Sequence, residues 1–203
     1  MNYLFEVAEF FGIIAFALSG FYMAVREKLD LLGIFIAAFL TALGGGITRD
    51  TIAGKMPYTF THLMPTLLVI GVVVIAILLK LKKHDKFEQT TIFVLSDTLG
   101  LVSFAIAGTF VGIEVGFNIF GIVMLSLITA VGGSCLRDIL LNKIPFFLTS
   151  DFYATIAIIV SLGMYALNAF GVLNIIGTAV IFVIGVFLRL LAYYKKWKLP
   201  TIG

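Results

Sequence analysis

The sequence predicts an all-α membrane protein with seven transmembrane helices, built as a 3+3 inverted repeat plus a C-terminal seventh helix. Three observations lead to that fold class. The 203 residues are 61% apolar and only 12% charged, against about 25% charged in a soluble domain, so lipid must be the solvent for most of the surface. Seven apolar segments each approach the ~20 residues that a bilayer crossing needs. And the chain matches itself, without a gap, at an offset of 88 residues, as Arg49 to Arg137.

The seven segments are Tyr3–Val25, Leu31–Ala53, Leu63–Leu81, Thr91–Gly112, Ile119–Leu141, Phe152–Phe170 and Leu173–Tyr193. Backbone groups in hydrocarbon must be bonded within their own segment, which makes these helices. The period-two alternation of a lipid-facing barrel is absent. Connections are short, so the chain reads as one transmembrane domain, with repeat one over 3–81, repeat two over 89–170 and the seventh helix over 173–193. The first segment has no basic residue before it and reads as a span rather than a cleaved leader.

Counting Lys and Arg near the segment ends sets the orientation. One side receives Arg26, Lys28, Lys80, Lys82, Lys83, Lys86, Lys143, Arg189, Lys195, Lys196 and Lys198, and the other Lys55 alone. Basic residues collect on the cytoplasmic side. The N-terminus is therefore expected outside and the C-terminus in the cytoplasm, across the cell's inner (plasma) membrane. Tyr193, Tyr194 and Trp197 suit an interfacial belt. The net charge of +3 lies at segment ends, where it anchors the chain to headgroups, and does not indicate a nucleic-acid partner. Lys80, Lys82, Lys83 and Lys86 form a basic loop that attracts anionic lipid at about 1 kcal/mol per charge.

At the common offset Gly12 falls on Gly100, Phe16 on Phe104, Gly20 on Gly108, Gly44-Gly45 on Gly132-Gly133, Arg49-Asp50 on Arg137-Asp138, Lys55 on Lys143 and Pro57 on Pro145. Apolar composition alone would not align Arg-Asp, Lys and Pro. Each repeat holds three spans, an odd number, so the second copy enters the membrane from the opposite side. Pathways in such proteins lie between the repeats near mid-depth.

Two constellations recur in both repeats. Gly44-Gly45-Gly46 in the second segment matches Gly132-Gly133-Ser134 in the fifth. Each glycine costs a helix interior about 1 kcal/mol relative to alanine, which points to a kink or an unwound stretch lining a wet cavity. The competing reading is close helix packing through small residues. Five residues beyond the start of each run come Arg49-Asp50 and Arg137-Asp138. Charges within the membrane face a partner or water. Neighbours at i and i+1 point about 100° apart, so each arginine is expected to find its partner elsewhere: Glu9, with Glu6 as second candidate, for Arg49, and Asp97 for Arg137. Pro57 and Pro145 read as loop residues, and Lys55 and Lys143 as snorkelling to headgroups.

Cys135 stands alone, and His62 and His84 share no ligand spacing, so no metal or other cofactor is expected. No nucleophile–base set and no phosphate-binding loop followed by Lys-Ser/Thr is present, which argues against an enzyme.

The doubled GGGxxRD-type segment, Gly44–Asp50 and Gly132–Asp138, resembles the trimeric intracellular cation channel family, in its prokaryotic branch, and the likeness extends over nearly the whole chain. The resemblance implies a homotrimer with a pore through each subunit, conducting monovalent cations, chiefly potassium, with sodium a candidate. It also implies that the second and fifth helices are kinked at Gly44–Gly46 and Gly132–Ser134, and line the pore with the first and fourth. Arg49, Asp50, Arg137 and Asp138 would be the polar groups along the path. Ser134 departs from the glycine of the first repeat, which implies a stiffer kink or a hydroxyl in the pore. Prokaryotic members have also been labelled glycine transporters, so a carrier for a small amino acid stands as the alternative.

Overall fold

The computed structural model describes residues 2–79, 91–149 and 152–197. Within them the chain is entirely helical: α1 (Asn2–Arg26), α2 (Leu31–Ile52), α3 (Tyr58–Thr61), α4 (Met64–Leu78), α5 (Thr91–Glu114), α6 (Ile119–Leu140), α7 (Phe146–Thr149), α8 (Tyr153–Ala169) and α9 (Ile175–Tyr194). Five of these, α1, α2, α5, α6 and α9, are long and apolar enough to cross a membrane, and α4 and α8 are shorter apolar helices. These seven coincide in position with the seven apolar segments. The basic loop at Lys80, Lys82, Lys83 and Lys86, with His84, lies outside the described residues.

Helix boundaries follow local chemistry that recurs at the 88-residue offset. Asp30 caps α2 by accepting from the Gly33 amide at 2.7 Å, and Asn118 caps α6 by accepting from the Gly121 amide at 2.9 Å. Each side chain satisfies an amide that has no partner within the helix. The chain leaves α2 through Gly54 at φ +68° and leaves α6 through Asn142 at φ 54°. Only glycine, or a short polar residue such as asparagine, enters that left-handed region at low cost. In both copies the next amide then closes the helix, Lys55 onto the Asp50 carbonyl and Lys143 onto the Asp138 carbonyl, each at 2.8 Å.

Pro57 and Pro145 lie in the connections after α2 and α6, as expected, and each directly precedes a one-turn helix, α3 or α7.

The centre is a four-helix cluster of α1, α2, α5 and α6. α4 packs on α1 and α2, and α8 packs on α5 and α6, as the offset requires. α9 has no counterpart and lies on α5 and α8. Its effect shows in burial: 78% of the best apolar window of α5 is covered, against 50% for α1. The polarity is that of a lipid-embedded protein. Leu67, Ile70, Val74, Val180, Val183 and Phe187 are exposed, whereas Ser19, Thr41, Thr109, Ser126, Thr129 and Ser161 are buried. Their hydroxyls are used inside the bundle: Ser126 donates to the Ala105 carbonyl of α5 at 2.8 Å, and Thr109 donates to Ser161 of α8 at 3.0 Å. With lipid outside, such bonds and close backbone packing hold helices together.

The two glycine runs do not unwind; α2 and α6 are continuous helices through Gly44–Gly46 and Gly132–Ser134. The expectation of an unwound stretch is corrected here, and the reason is packing. A Cβ on Gly45 would run into the Thr129 carbonyl of α6, and a Cβ on Gly133 into the Thr41 carbonyl of α2. Gly45 matches Gly133, and Thr41 matches Thr129, so one contact is made twice about a local twofold relation. Phe16 and Phe104, another matched pair, pack together with ring centroids 5.3 Å apart and planes tilted by 36°. Ser134 donates to the Val131 carbonyl of its own helix at 3.0 Å, so its hydroxyl is not offered to a path.

Gly45→Ala and Gly133→Ala will each lower the thermal midpoint in detergent, with a loss of about 1–3 kcal/mol or more, because the obstacle is backbone that cannot rotate away. Gly71→Ala, where a Cβ meets nothing within 4 Å, will leave stability equal or raise it by up to about 1 kcal/mol.

Candidate functional site

The buried charges form two clusters, one near each end of the four-helix centre. α1 starts and α2 ends at what we call the N-terminal face; α1 ends and α5 starts at the opposite face.

At the N-terminal face Arg49 is fully buried and bonded on every side. Its Nη1 and Nη2 donate to the two carboxylate oxygens of Glu9 at 3.1 and 3.2 Å, and its Nε donates to Asp50 Oδ1 at 2.7 Å. Its guanidinium lies 4.9 Å from the centre of the Phe5 ring. The other oxygen of Asp50 accepts from the Tyr58 amide at 3.0 Å, which ties the turn after Pro57 to the end of α2. Glu9, the expected partner, takes two of the three bonds, and Asp50, not expected as the main partner, takes the third. The arginine side chain is long enough for its Nε to fold back onto the next residue while its tip reaches α1. Glu6, the second candidate partner, lines the adjoining cavity and is exposed.

At the opposite face the matched residues begin the same way. Arg137 donates through Nε and Nη2 to Asp138 Oδ1 at 2.8 and 2.7 Å, and Asp138 Oδ2 accepts from the Phe146 amide at 2.8 Å. The halves then diverge. No Arg137–Asp97 bond is present among the described residues, which corrects that predicted pair; Arg137 Nη1 is buried without a hydrogen-bond partner. Asp97 instead accepts from Ser19 of α1 at 3.2 Å. The physical reason is side-chain length. A Cβ at Gly46 would lie 3.3 Å from Glu9 Oε1, so the longer acid makes that position tight; aspartate is one methylene shorter, does not reach the arginine, and leaves room for the Cβ of Ser134.

Each cluster borders a cavity. The N-terminal one, about 180 Å³, is lined by Phe5, Glu6, Glu9, Tyr58 and neighbours from α1 and α4. The opposite one, about 290 Å³, is lined by Phe93, Val94, Asp97, Phe146, Met23, Arg26, Arg189 and Tyr193. Phe5 matches Phe93, Glu6 matches Val94, Glu9 matches Asp97 and Tyr58 matches Phe146, so the cavities are counterparts. They share no lining residue. Between them lie the Phe16–Phe104 pair and the Gly45–Gly133 crossing.

Two cross-half ion pairs close the faces. Lys55 donates to Glu114 at 2.7 Å, and Lys143 bonds to Glu27. These lysines, expected to reach headgroups, join the end of α2 to the end of α5 and the end of α6 to the end of α1. Sequence reasoning also passed over Arg189, taken as a topology-setting charge. It is buried in α9, with its guanidinium 4.8 Å from the centre of the Tyr153 ring. A basic residue inside an apolar span was the available signal. No group of three or more metal-ligating side chains occurs among the described residues.

Comparison with known proteins bears on this arrangement. The family model described as "Glycine transporter" matches twice, over residues 6–80 and 94–169, and the two matches start 88 residues apart, at the offset seen within the chain. The UPF0126 membrane protein YvgT of Bacillus subtilis is 33% identical over 204 residues, covering 97% of this chain and 95% of that protein. Among solved structures, one described as "Crystal structure of a prokaryotic TRIC channel in 0.5 M KCl" superimposes with a TM-score of 0.88 at 28% identity, over 98% of this chain and all of the other. Another, from work on the structural basis for conductance through TRIC cation channels, gives a TM-score of 0.85 at 34% identity over 98% and 97% of the two chains. The chain belongs to the UPF0126 membrane proteins, the prokaryotic branch of the trimeric intracellular cation (TRIC) channel family.

Proposed function

We propose that this protein is a channel for monovalent cations, chiefly potassium, with one pore through each subunit between two inverted halves. The observation that carries the reading is the pair of matched cavities, each bordered by a buried acid–arginine cluster, with apolar and glycine packing between them. The likeness to solved TRIC cation channels supports the same conclusion. Glu6 and Glu9 at the N-terminal cavity attract cations, and the buried arginines keep the field from trapping them, since conduction needs binding weak enough to release.

In this reading the described conformation is closed. A path opens when α2 and α6 part at Gly45 and Gly133, by bending where glycines weaken the helices. All seven apolar helices span the membrane, with the start of α1 outside and the chain end in the cytoplasm, as the distribution of basic residues supports. The working unit is a homotrimer, surrounded by lipid.

A second reading is a carrier for a small amino acid, favoured by the description of the matching family model. Inverted repeats serve carriers as well. Purified protein in planar bilayers separates the two. Unitary potassium currents, far above carrier turnover, are the expected outcome; saturable glycine uptake coupled to an ion gradient, without such currents, would overturn it.

The clusters predict an order of severity. Arg49→Gln strands two buried carboxylates and will cost about 3–5 kcal/mol, read as a lower thermal midpoint. Glu9→Gln leaves Arg49 its bond to Asp50, so it will cost clearly less and show instead as reduced potassium flux into vesicles. Equal destabilisation by the two would mean that Glu9, not the shared arginine, organises the cluster.

A further inference from the structure

The two halves treat their matched acids differently, and the difference comes from the helix that has no counterpart. Glu9 is gripped by Arg49 of its own half. Asp97 is not gripped by Arg137, whose Nε and Nη2 are committed to Asp138. Arg189 comes instead from α9. Asp97 and Arg189 line the same cavity. Arg189 is 2% exposed and held against two rings, Tyr153 at 4.8 Å and Tyr193 at 6.0 Å, so packing fixes where its charge sits.

The consequence is a difference in sign between the two cavities. Around the N-terminal one stand Glu6, Glu9 and Asp50 against Arg49, three acids to one base. Around the opposite one stand Asp97, Asp138 and Glu27 against Arg26, Arg137, Arg189 and Lys143, three acids to four bases. Charge lining a cleft with low-dielectric walls sets the local concentration of counter-ions. Cations therefore gather at the N-terminal mouth and are thinned at the opposite one.

We propose that Arg189 is a built-in counter-cation that occupies the charge of Asp97 and limits cation entry from the opposite mouth, so that current enters more easily from the N-terminal face. This rests on the channel reading and adds to it a residue outside the repeated GGGxxRD-type segments. A unit charge roughly 8 Å from the path in a water-like medium changes local ion concentration about two- to threefold.

The test compares currents at equal and opposite voltages across a planar bilayer holding the full chain in one orientation. At about 0.01 M KCl, where the Debye length is about 30 Å, the wild-type current will be larger for cations entering from the N-terminal face. Arg189→Gln will shrink that ratio about two- to threefold, Arg189→Lys will preserve it, and about 1 M KCl will erase it, the Debye length then being about 3 Å. An unchanged ratio in Arg189→Gln protein overturns the proposal. A second measurement does not depend on conduction. Thermal midpoints of Asp97→Asn, Arg189→Gln and the double variant in detergent will be non-additive; additive losses overturn the pairing. Wild-type protein that passes no current overturns the channel reading, and the control of entry with it, while the detergent measurement still decides the pair.

Discussion

The contact between α2 and α6 at Gly45 and Gly133 sets the dimensions of everything around it. Each glycine meets the backbone carbonyl of a threonine four residues before the other, Thr129 and Thr41, and no side chain separates the helices. That approach brings α1 and α5 together on one side, where the Phe16 and Phe104 rings pack at a tilt. It also fixes where the charges lie. Arg49 and Arg137 follow their glycines by four residues, about 6 Å along the helix, so each arginine emerges one turn beyond the crossing, Arg49 bonded to the cavity-lining Glu9 and Arg137 to Asp138. Separating these helices by one methyl group would shift both clusters at once.

About this crossing the molecule is close to symmetric but not symmetric, and the departures are connected. Glutamate at position 9 reaches its arginine and crowds position 46, which is glycine; aspartate at 97 falls short, stands opposite serine at 134 and accepts from Ser19 of the other half. α9 then covers α5 and α8 and brings Arg189 to the cavity lined by the acid that its own half does not pair. One face thus carries a compact cluster within the first half. The other assembles its cluster from α1, α5, α6 and α9.

Much of this was legible in the sequence because lipid leaves few options. Segment length and the absence of charge locate the helices, and a polar pattern repeated at one offset finds the matched residues. Geometry that depends on a single methylene was not legible. Glu9 and Asp97 look equivalent in an alignment of the halves, yet only one reaches its arginine. The glycine runs look like flexible joints, whereas their middle members are where two backbones touch. Arg189 was hidden by position: near the end of a terminal span, a basic residue reads as an anchor until packing shows it turned inward against Tyr153.

The same packing bears on how such a molecule opens. The halves are joined at both faces by Lys55–Glu114 and Lys143–Glu27. These are partly exposed pairs, each worth about 0–1 kcal/mol, and so weak ties. The centre is different: moving the halves apart as rigid bodies would break the Phe16–Phe104 contact and uncover the buried faces of α1, α2, α5 and α6 together, at about 25 cal/mol for each Å² of apolar surface. Three consecutive glycines in α2 already make that stretch about 3 kcal/mol less favourable as helix than alanine would. A local bend there needs only a few backbone bonds to loosen and leaves the aromatic contact in place. On that comparison a glycine run that is continuously helical and closely packed is also the segment of α2 whose helical order is least costly to lose, which makes its role in packing compatible with the opening proposed above.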